Sequence, residues 1–158
     1  MSVDQIHMTK QGYDKLKDEL HTLKVVERPK IIDEIAQARA HGDLRENAEY
    51  HAAREKQGFI EGRITLLEDH LARAAIVDFS GHQSRDVKFG SYVTVEDLDS
   101  GEERTYRIVG DIEADISQNL ISINSPIGKA LLGKKIGDFI EIEVPKGVLE
   151  YDIKVIRY

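Results

Sequence analysis

Two acidic residues three apart, Asp43 and Glu46, lie in the stretch Gly42-Asp43-Leu44-Arg45-Glu46-Asn47. On the opening turn of a helix, residues three apart share a face, with Cβ atoms about 5–6 Å from each other. Carboxylates so placed can hold a hard divalent cation. Mg2+ commonly binds through one or two carboxylates and leaves its other positions to water or phosphate oxygen. Two ligands are too few for a tight site within one chain, so a metal held here calls for a partner that supplies the rest. The same spacing is also a capping box, in which Asp43 accepts from the Glu46 amide and Glu46 reaches back. Acidic groups there suit the positive end of a helix dipole. The two roles are compatible, because a carboxylate has a second oxygen.

Other chemistry-bearing residues are weaker signals. Arg39, Arg45, Arg54 and Lys56 surround the acidic pair and could guide phosphates toward it. They could equally be a solvated helix surface among acidic neighbours. His41 and His51 flank the stretch, but the six histidines are scattered, and no spacing matches a zinc site. Ser125 precedes Pro126, which suits a helix cap better than a nucleophile lacking a base. The glycines between Gly128 and Gly137 do not have the spacing of a phosphate loop.

The acidic stretch interrupts two helical patterns. Beyond it, Tyr50, Ala53, Gln57, Ile60, Ile64, Leu67, Leu71 and Ala74 recur at steps of three and four, a heptad-like seam. Before it run Tyr13, Leu16, Leu20 and Leu23, then Ile31, Ile35 and Ala38. The connection is short, so the two arms must return antiparallel. A helical hairpin over residues 9–74 results, with Asp43 and Glu46 at its tip. A helix of roughly 28 residues is about 42 Å long, which sets the tip far from the hairpin's root. Thr9 is the expected N-cap of the first arm and Gly42 its C′ residue. Val25 to Pro29 disturbs the register, and Pro29 predicts a kink followed by a continuing helix.

After Ala75 the period changes to two. Strands are expected at 76–79, 92–95, 105–109, 121–123, 139–144 and 149–156, with a turn at Asp99-Ser100-Gly101 and one short helix from Ile127 to Leu132. The fold class is therefore α+β: an N-terminal antiparallel α-helical coiled-coil hairpin over 1–75, followed by a small antiparallel α+β domain over 76–158.

Composition limits the function. The 158 residues suffice for one ordinary domain or two small ones. No apolar run reaches the roughly 20 residues of a membrane span, the N-terminus lacks the pattern of a secretory signal, and there is no cysteine. These features fit the cytoplasm and no membrane partner. The net charge of −7 disfavours nonspecific coating of duplex nucleic acid. Residues 1–75 carry 12 Lys and Arg against 14 Asp and Glu, and residues 76–158 carry 10 against 15, so most of the acidity lies in the second half. One hairpin and one small domain can cover their own apolar faces, which predicts a monomer.

At the tip the sequence resembles the bacterial GreA/GreB transcript cleavage factors. The resemblance is carried by His41-Gly42-Asp43-Leu44-Arg45-Glu46-Asn47-Ala48-Glu49-Tyr50-His51-Ala52-Ala53-Arg54-Glu55, by Arg28-Pro29, and by Tyr106-Arg107-Ile108-Val109-Gly110. It continues in Asn119-Leu120-Ile121-Ser122 and Asn124-Ser125-Pro126-Ile127-Gly128, and so covers nearly the whole chain. Position 45 carries Arg where the family has Ser or Lys. The resemblance implies a coiled coil that enters the secondary channel of RNA polymerase and an FKBP-like domain that docks at the channel's rim. It implies that Asp43 and Glu46 assist catalysis by helping to hold a Mg2+ shared with the polymerase and by positioning a water. No cofactor would be bound tightly by the chain alone. The polymerase's own cleavage of the 3′ end of backtracked nascent RNA would be stimulated, the factor itself not being an enzyme. By the same analogy Arg39 and Arg54 would contact the extruded RNA. Three alternatives stand beside this reading. They are prolyl isomerisation, which an aromatic content of 6% argues against, a channel-binding inhibitor without cleavage stimulation, and a plain coiled-coil adaptor.

Overall fold

In a computed structural model, which describes residues 4–42, 46–79 and 85–158, the chain divides into two compact units. One contains Tyr13–Ala74; the other combines Ile6–Gly12 with Ala75–Tyr158.

The first unit is an antiparallel helical hairpin. Its first arm consists of α1 (Lys10–Thr22, from Tyr13 onward in this unit), a π-helical turn at Leu23–Glu27, and α2 (Arg28–Arg39). The returning arm is α3 (Ala48–Ala72). The expected seam is the buried one: Leu16, Ile31, Ile35 and Ala38 on the first arm face inward, as do Ala53, Ile60, Ile64 and Leu67 on α3. Tyr50, Gln57 and Leu71 are half-buried.

The π-helical turn explains the disturbed register. Steps of three and four from Tyr13 through Leu16, Leu20 and Leu23 lead to Glu27 and then to Lys30, yet the next apolar residue is Ile31. One extra residue must be absorbed, and a wider turn absorbs it. The Arg28 amide donates to the Leu23 carbonyl, a five-residue step. Pro29, which has no amide to donate, falls in the first turn of α2, where none is required. The expected kink is thus a local widening within a continuous arm.

Cross-arm ion pairs line this seam. Arg28 grips Glu61 through Nε and a terminal nitrogen at 2.7 and 2.8 Å, and Arg63 grips Glu19 at 2.7 and 3.0 Å. Lys24 reaches Glu68 at 2.6 Å. The hydrogen bond from Arg63 is the main influence that lowers the Glu19 pKa, and that from Arg28 does the same for Glu61. All these pairs are solvent-accessible, so each adds little stability and chiefly sets register.

The second unit is built on a five-stranded sheet in the order β5-β4-β3-β7-β6, comprising β3 (Tyr92–Asp97), β4 (Glu103–Val109), β5 (Leu120–Ser122), β6 (Phe139–Val144) and β7 (Gly147–Arg157). The sequence predicts antiparallel strands throughout. The β3–β4, β3–β7 and β6–β7 pairs conform, whereas β4 and β5 run parallel, so the sheet is mixed. The long return from β4 permits this, because the chain passes through a 3-10 turn at Ile116–Gln118 before entering β5. Alternate residues bury one face: Val93, Val95, Tyr106, Ile108, Ile121, Ile140, Ile142, Tyr151 and Ile153, with Leu131 from α4 (Pro126–Leu131). Ser125 caps α4 as expected, its Oγ accepting from the Gly128 amide at 3.0 Å. A Cβ on Gly128 would lie 2.0 Å from the Ser122 carbonyl oxygen, so only glycine lets α4 sit this close to β5.

The division after Ala74 lies beside the expected boundary at 75/76, and Ile6–Gly12 pack with the sheet unit. Strand β1 (Ile6–Met8) pairs with β2 (Ala74–Ile76), and the Val77 amide donates to the Met8 carbonyl at 2.9 Å. Thr9 is buried, and its amide and hydroxyl both donate to the Glu113 carboxylate. Thr9 also accepts from the Gly12 amide at 3.0 Å, the capping role expected of it.

Candidate functional site at the hairpin tip

The site is the chain reversal between α2 and α3. Helix α2 closes with Ala40 as its C-cap, whose amide donates to the Gln37 and Ala38 carbonyls. Gly42 follows at φ 112°, one position later than expected, in a conformation that glycine tolerates. Asp43, Leu44 and Arg45 lie outside the described residues. Glu46 is exposed in a turn, and α3 begins at Ala48.

The capping box expected over Asp43–Glu46 does not open α3. The N-cap is Asn47, whose Oδ1 accepts from the Tyr50 amide at 3.0 Å. Its Nδ2 donates to the Ala38 carbonyl at 2.5 Å. Glu46 therefore precedes the cap instead of sitting at the third helical position. Its carboxylate is left out of the helix-capping arrangement and faces solvent.

Of the four basic residues, Arg45 is outside the described residues, and Arg54 and Lys56 are exposed on α3. Arg39 is more defined: in the last turn of α2, its guanidinium lies 5.9 Å from the centre of the Tyr50 ring. Such a contact orients the side chain without neutralising it. His41 Nε2 stands 3.7 Å from Glu49, both largely exposed. The Tyr50 and His51 rings meet edge to face, their centres 5.6 Å apart. The structure thus brings Arg39, Tyr50, His41 and Glu49 to the same end as Glu46.

Among the described residues no three His, Cys, Asp or Glu side chains gather to hold a metal. The donor chemistry nevertheless fits Mg2+. Glu46 offers a hard carboxylate oxygen to solvent, suited to a site completed from outside the chain. Asn47 is the residue that reading the sequence alone missed. Asx is a common cap, and a helix opening at 48 could have been proposed from it. Its second bond, to a carbonyl nine residues back, has no local signature.

No helix among the described residues is long and apolar enough to cross a membrane.

Comparison with known proteins follows the same division of the chain. The family model for the transcription elongation factor N-terminal domain matches residues 6–76, and that for the GreA/GreB C-terminal domain matches residues 82–158. The chain is 52% identical to transcription elongation factor GreA of Anaeromyxobacter sp. (strain K), covering 99% of this chain and 94% of that one. It is 55% identical to GreA of Rickettsia felis, covering 96% and 93%. Among solved structures it is similar to the GreA factor homolog 1 (Gfh1) protein of Thermus thermophilus, at 32% identity, coverage of 98% and 99%, and a TM-score of 0.43. It is also similar to a GreA/GreB factor from Nitrosomonas europaea, at 28% identity, coverage of 98% and 100%, and a TM-score of 0.44. Both halves are matched in order and nearly end to end, so the chain belongs to the GreA/GreB family of transcription elongation factors.

Proposed function

We propose that this elongation factor binds RNA polymerase, inserts its hairpin into the secondary channel and stimulates cleavage of the 3′ end of backtracked nascent RNA. The observation that carries this reading is Glu46, an exposed carboxylate at the chain reversal that is spared from capping by Asn47. A helical arm such as α3, of 25 residues, spans about 38 Å, long enough to carry a side chain deep into a partner. The family match supplies the elongation role.

In this mechanism the factor is not itself a catalyst. Asp43 and Glu46 present carboxylate oxygens to the polymerase's active centre and help to hold a shared Mg2+ and an attacking water. Such a metal, if held by Asp43 and Glu46 together with polymerase groups, would supply charge stabilisation for an in-line displacement. Arg39, held against Tyr50, and Arg54, one helical turn beyond Tyr50, lie where extruded RNA phosphates would pass. The sheet unit docks on the polymerase at the channel's outer rim and leaves the chemistry to the tip. Removal of a 3′ fragment places a new RNA end in the active centre, and synthesis resumes.

The test is a cleavage assay on a stalled, backtracked elongation complex, with and without the protein. Wild type is expected to shorten the transcript. Asp43→Ala or Glu46→Ala is expected to abolish stimulation with polymerase affinity nearly intact. Equal cleavage by wild type and these variants would end the metal-ligand role. Binding with inhibition and no shortening by wild type would favour a channel-blocking factor.

A further inference from the structure

We propose that Asn47 is the positioning residue of the tip, its carboxamide tying the last turn of α2 to the first turn of α3 and so setting where the Glu46 carboxylate stands. This inference rests on the cleavage reading above and adds to it the residue that holds the acidic group in place.

The geometry is a double cap. Helix ends leave backbone carbonyls and amides without intrahelical partners. Asn47 serves one of each, accepting from the Tyr50 amide at 3.0 Å and donating at 2.5 Å to the Ala38 carbonyl, which also accepts from the His41 amide. A donor on one side and an acceptor on the other fix the orientation of its amide group. Serine, threonine and aspartate can cap α3, but none has a second donor arm to reach α2.

The packing explains why such a tie is needed. Ala38 is the last buried residue of α2 and Ala53 the first of α3, so the fully buried seam ends at these two small side chains, with only half-buried Tyr50 packed at its margin. Beside them a groove of about 390 Å3 opens between the arms, lined by Gln37, Ala38, His41, Glu49, Ala53 and Lys56. Alanines cannot fill it. Other cross-arm contacts at this level among the described residues include the exposed His41–Glu49 pair at 3.7 Å and Arg39 over the Tyr50 ring. Both are looser than the amide bridge. Glu46 is joined directly to Asn47, whose backbone is extended (φ −86°, ψ 94°). Movement of the clasp therefore passes straight to Glu46.

Misplacement by about 1 Å can reduce a rate roughly a hundredfold. Asn47→Ser and Asn47→Thr each keep a capping oxygen for the Tyr50 amide and lose the bond to Ala38. Both are expected to retain wild-type helix content and polymerase affinity. In the free protein, amide exchange should quicken at His41, whose amide also bonds the Ala38 carbonyl, while the Tyr50 amide stays protected. On a backtracked complex at low Mg2+, cleavage should fall roughly ten- to a hundredfold. Excess Mg2+ should restore much of that loss, and none of the loss in Glu46→Ala. The proposal is overturned if the serine and threonine variants keep the wild-type rate and Mg2+ requirement. It is also overturned if their loss is matched by an equal loss of helix content or polymerase affinity. If the wild-type chain leaves the transcript uncut, the cleavage reading fails, and the positioning role fails with it.

Discussion

The sheet unit and the hairpin are stabilised by different means. The sheet unit closes a core between β3, β4, β6, β7 and α4, and Val93, Ile108 and Leu131 are fully removed from solvent. The hairpin buries a single seam of Ile31, Ile35, Ala53, Ile60 and Ile64, and exposed ion pairs stitch its flanks. The contrast separates stability from chemistry. Among the described residues neither unit gathers three metal-ligating side chains, and Glu46 lies past the end of the hairpin's thin seam, where side-chain hydrogen bonds supplement packing.

Substitutions can break this contrast or sharpen it. The largest stability effect is expected from Ile108→Ala, about 2–5 kcal/mol, because the side chain is completely buried among neighbours that cannot collapse. Denaturation followed by amide exchange should show protection lost across β3–β7 and retained in α2 and α3. Equal loss in both units would contradict their separate stabilisation. Next comes Gly128→Ala, which forces α4 away from the Ser122 carbonyl and should cost about 1–3 kcal/mol in the same experiment.

Gly58→Ala and Gly62→Ala should act in the opposite direction. Both glycines lie inside α3 with open space where a Cβ would go, so each replacement should stabilise the hairpin by about 1 kcal/mol. A gain in melting temperature with unchanged cleavage would mark these glycines as neutral. A gain accompanied by weaker polymerase binding would show that a partner packs on that face.

The smallest effect concerns pH. Burial is the main influence on Glu113 and raises its pKa above the ordinary 4.5, with hydrogen bonds from Thr9 and the nearby Arg107 charge opposing the rise. The folded chain thus holds this proton more tightly than the unfolded chain. Stability from this group is present at low pH and falls as pH rises through the window just above 4.5. Glu113→Gln should remove that dependence, so the wild-type and variant stability curves should diverge across the window and run parallel above it.

Much of this was readable in the residues. Apolar spacing gave the seam, since an amphipathic stripe must find cover wherever it lies. Ser125-Pro126 announced α4, because both signals are local. Three features needed partners distant in the chain. Asn47 and Asp43 are equally good caps by type, and the choice between them involves the Ala38 carbonyl across the reversal. Strand β5 is three residues long, and its parallel pairing follows from the path between β4 and β5. Residues 6–12 join the second unit through β2 and Glu113, nearly seventy and more than a hundred positions away. A fragment cut at 75/76 would therefore leave Glu113 without Thr9.

The widened turn at Leu23–Glu27 has a consequence for the length of the first arm. One residue corresponds to about 100° of rotation around a helix axis. Deleting a single amino acid between Leu23 and Glu27 would restore ordinary winding and leave Ile31, Ile35 and Ala38 facing α3, because the wide turn absorbs one surplus residue, whereas deleting one from the regular winding before Leu23 would swing them a quarter-turn or more off the face carried by Leu16. Arg28 would swing with them, away from Glu61. The arm behaves like a threaded shaft whose far end is phased by one inserted residue, so a change in its length without compensation re-aims everything beyond.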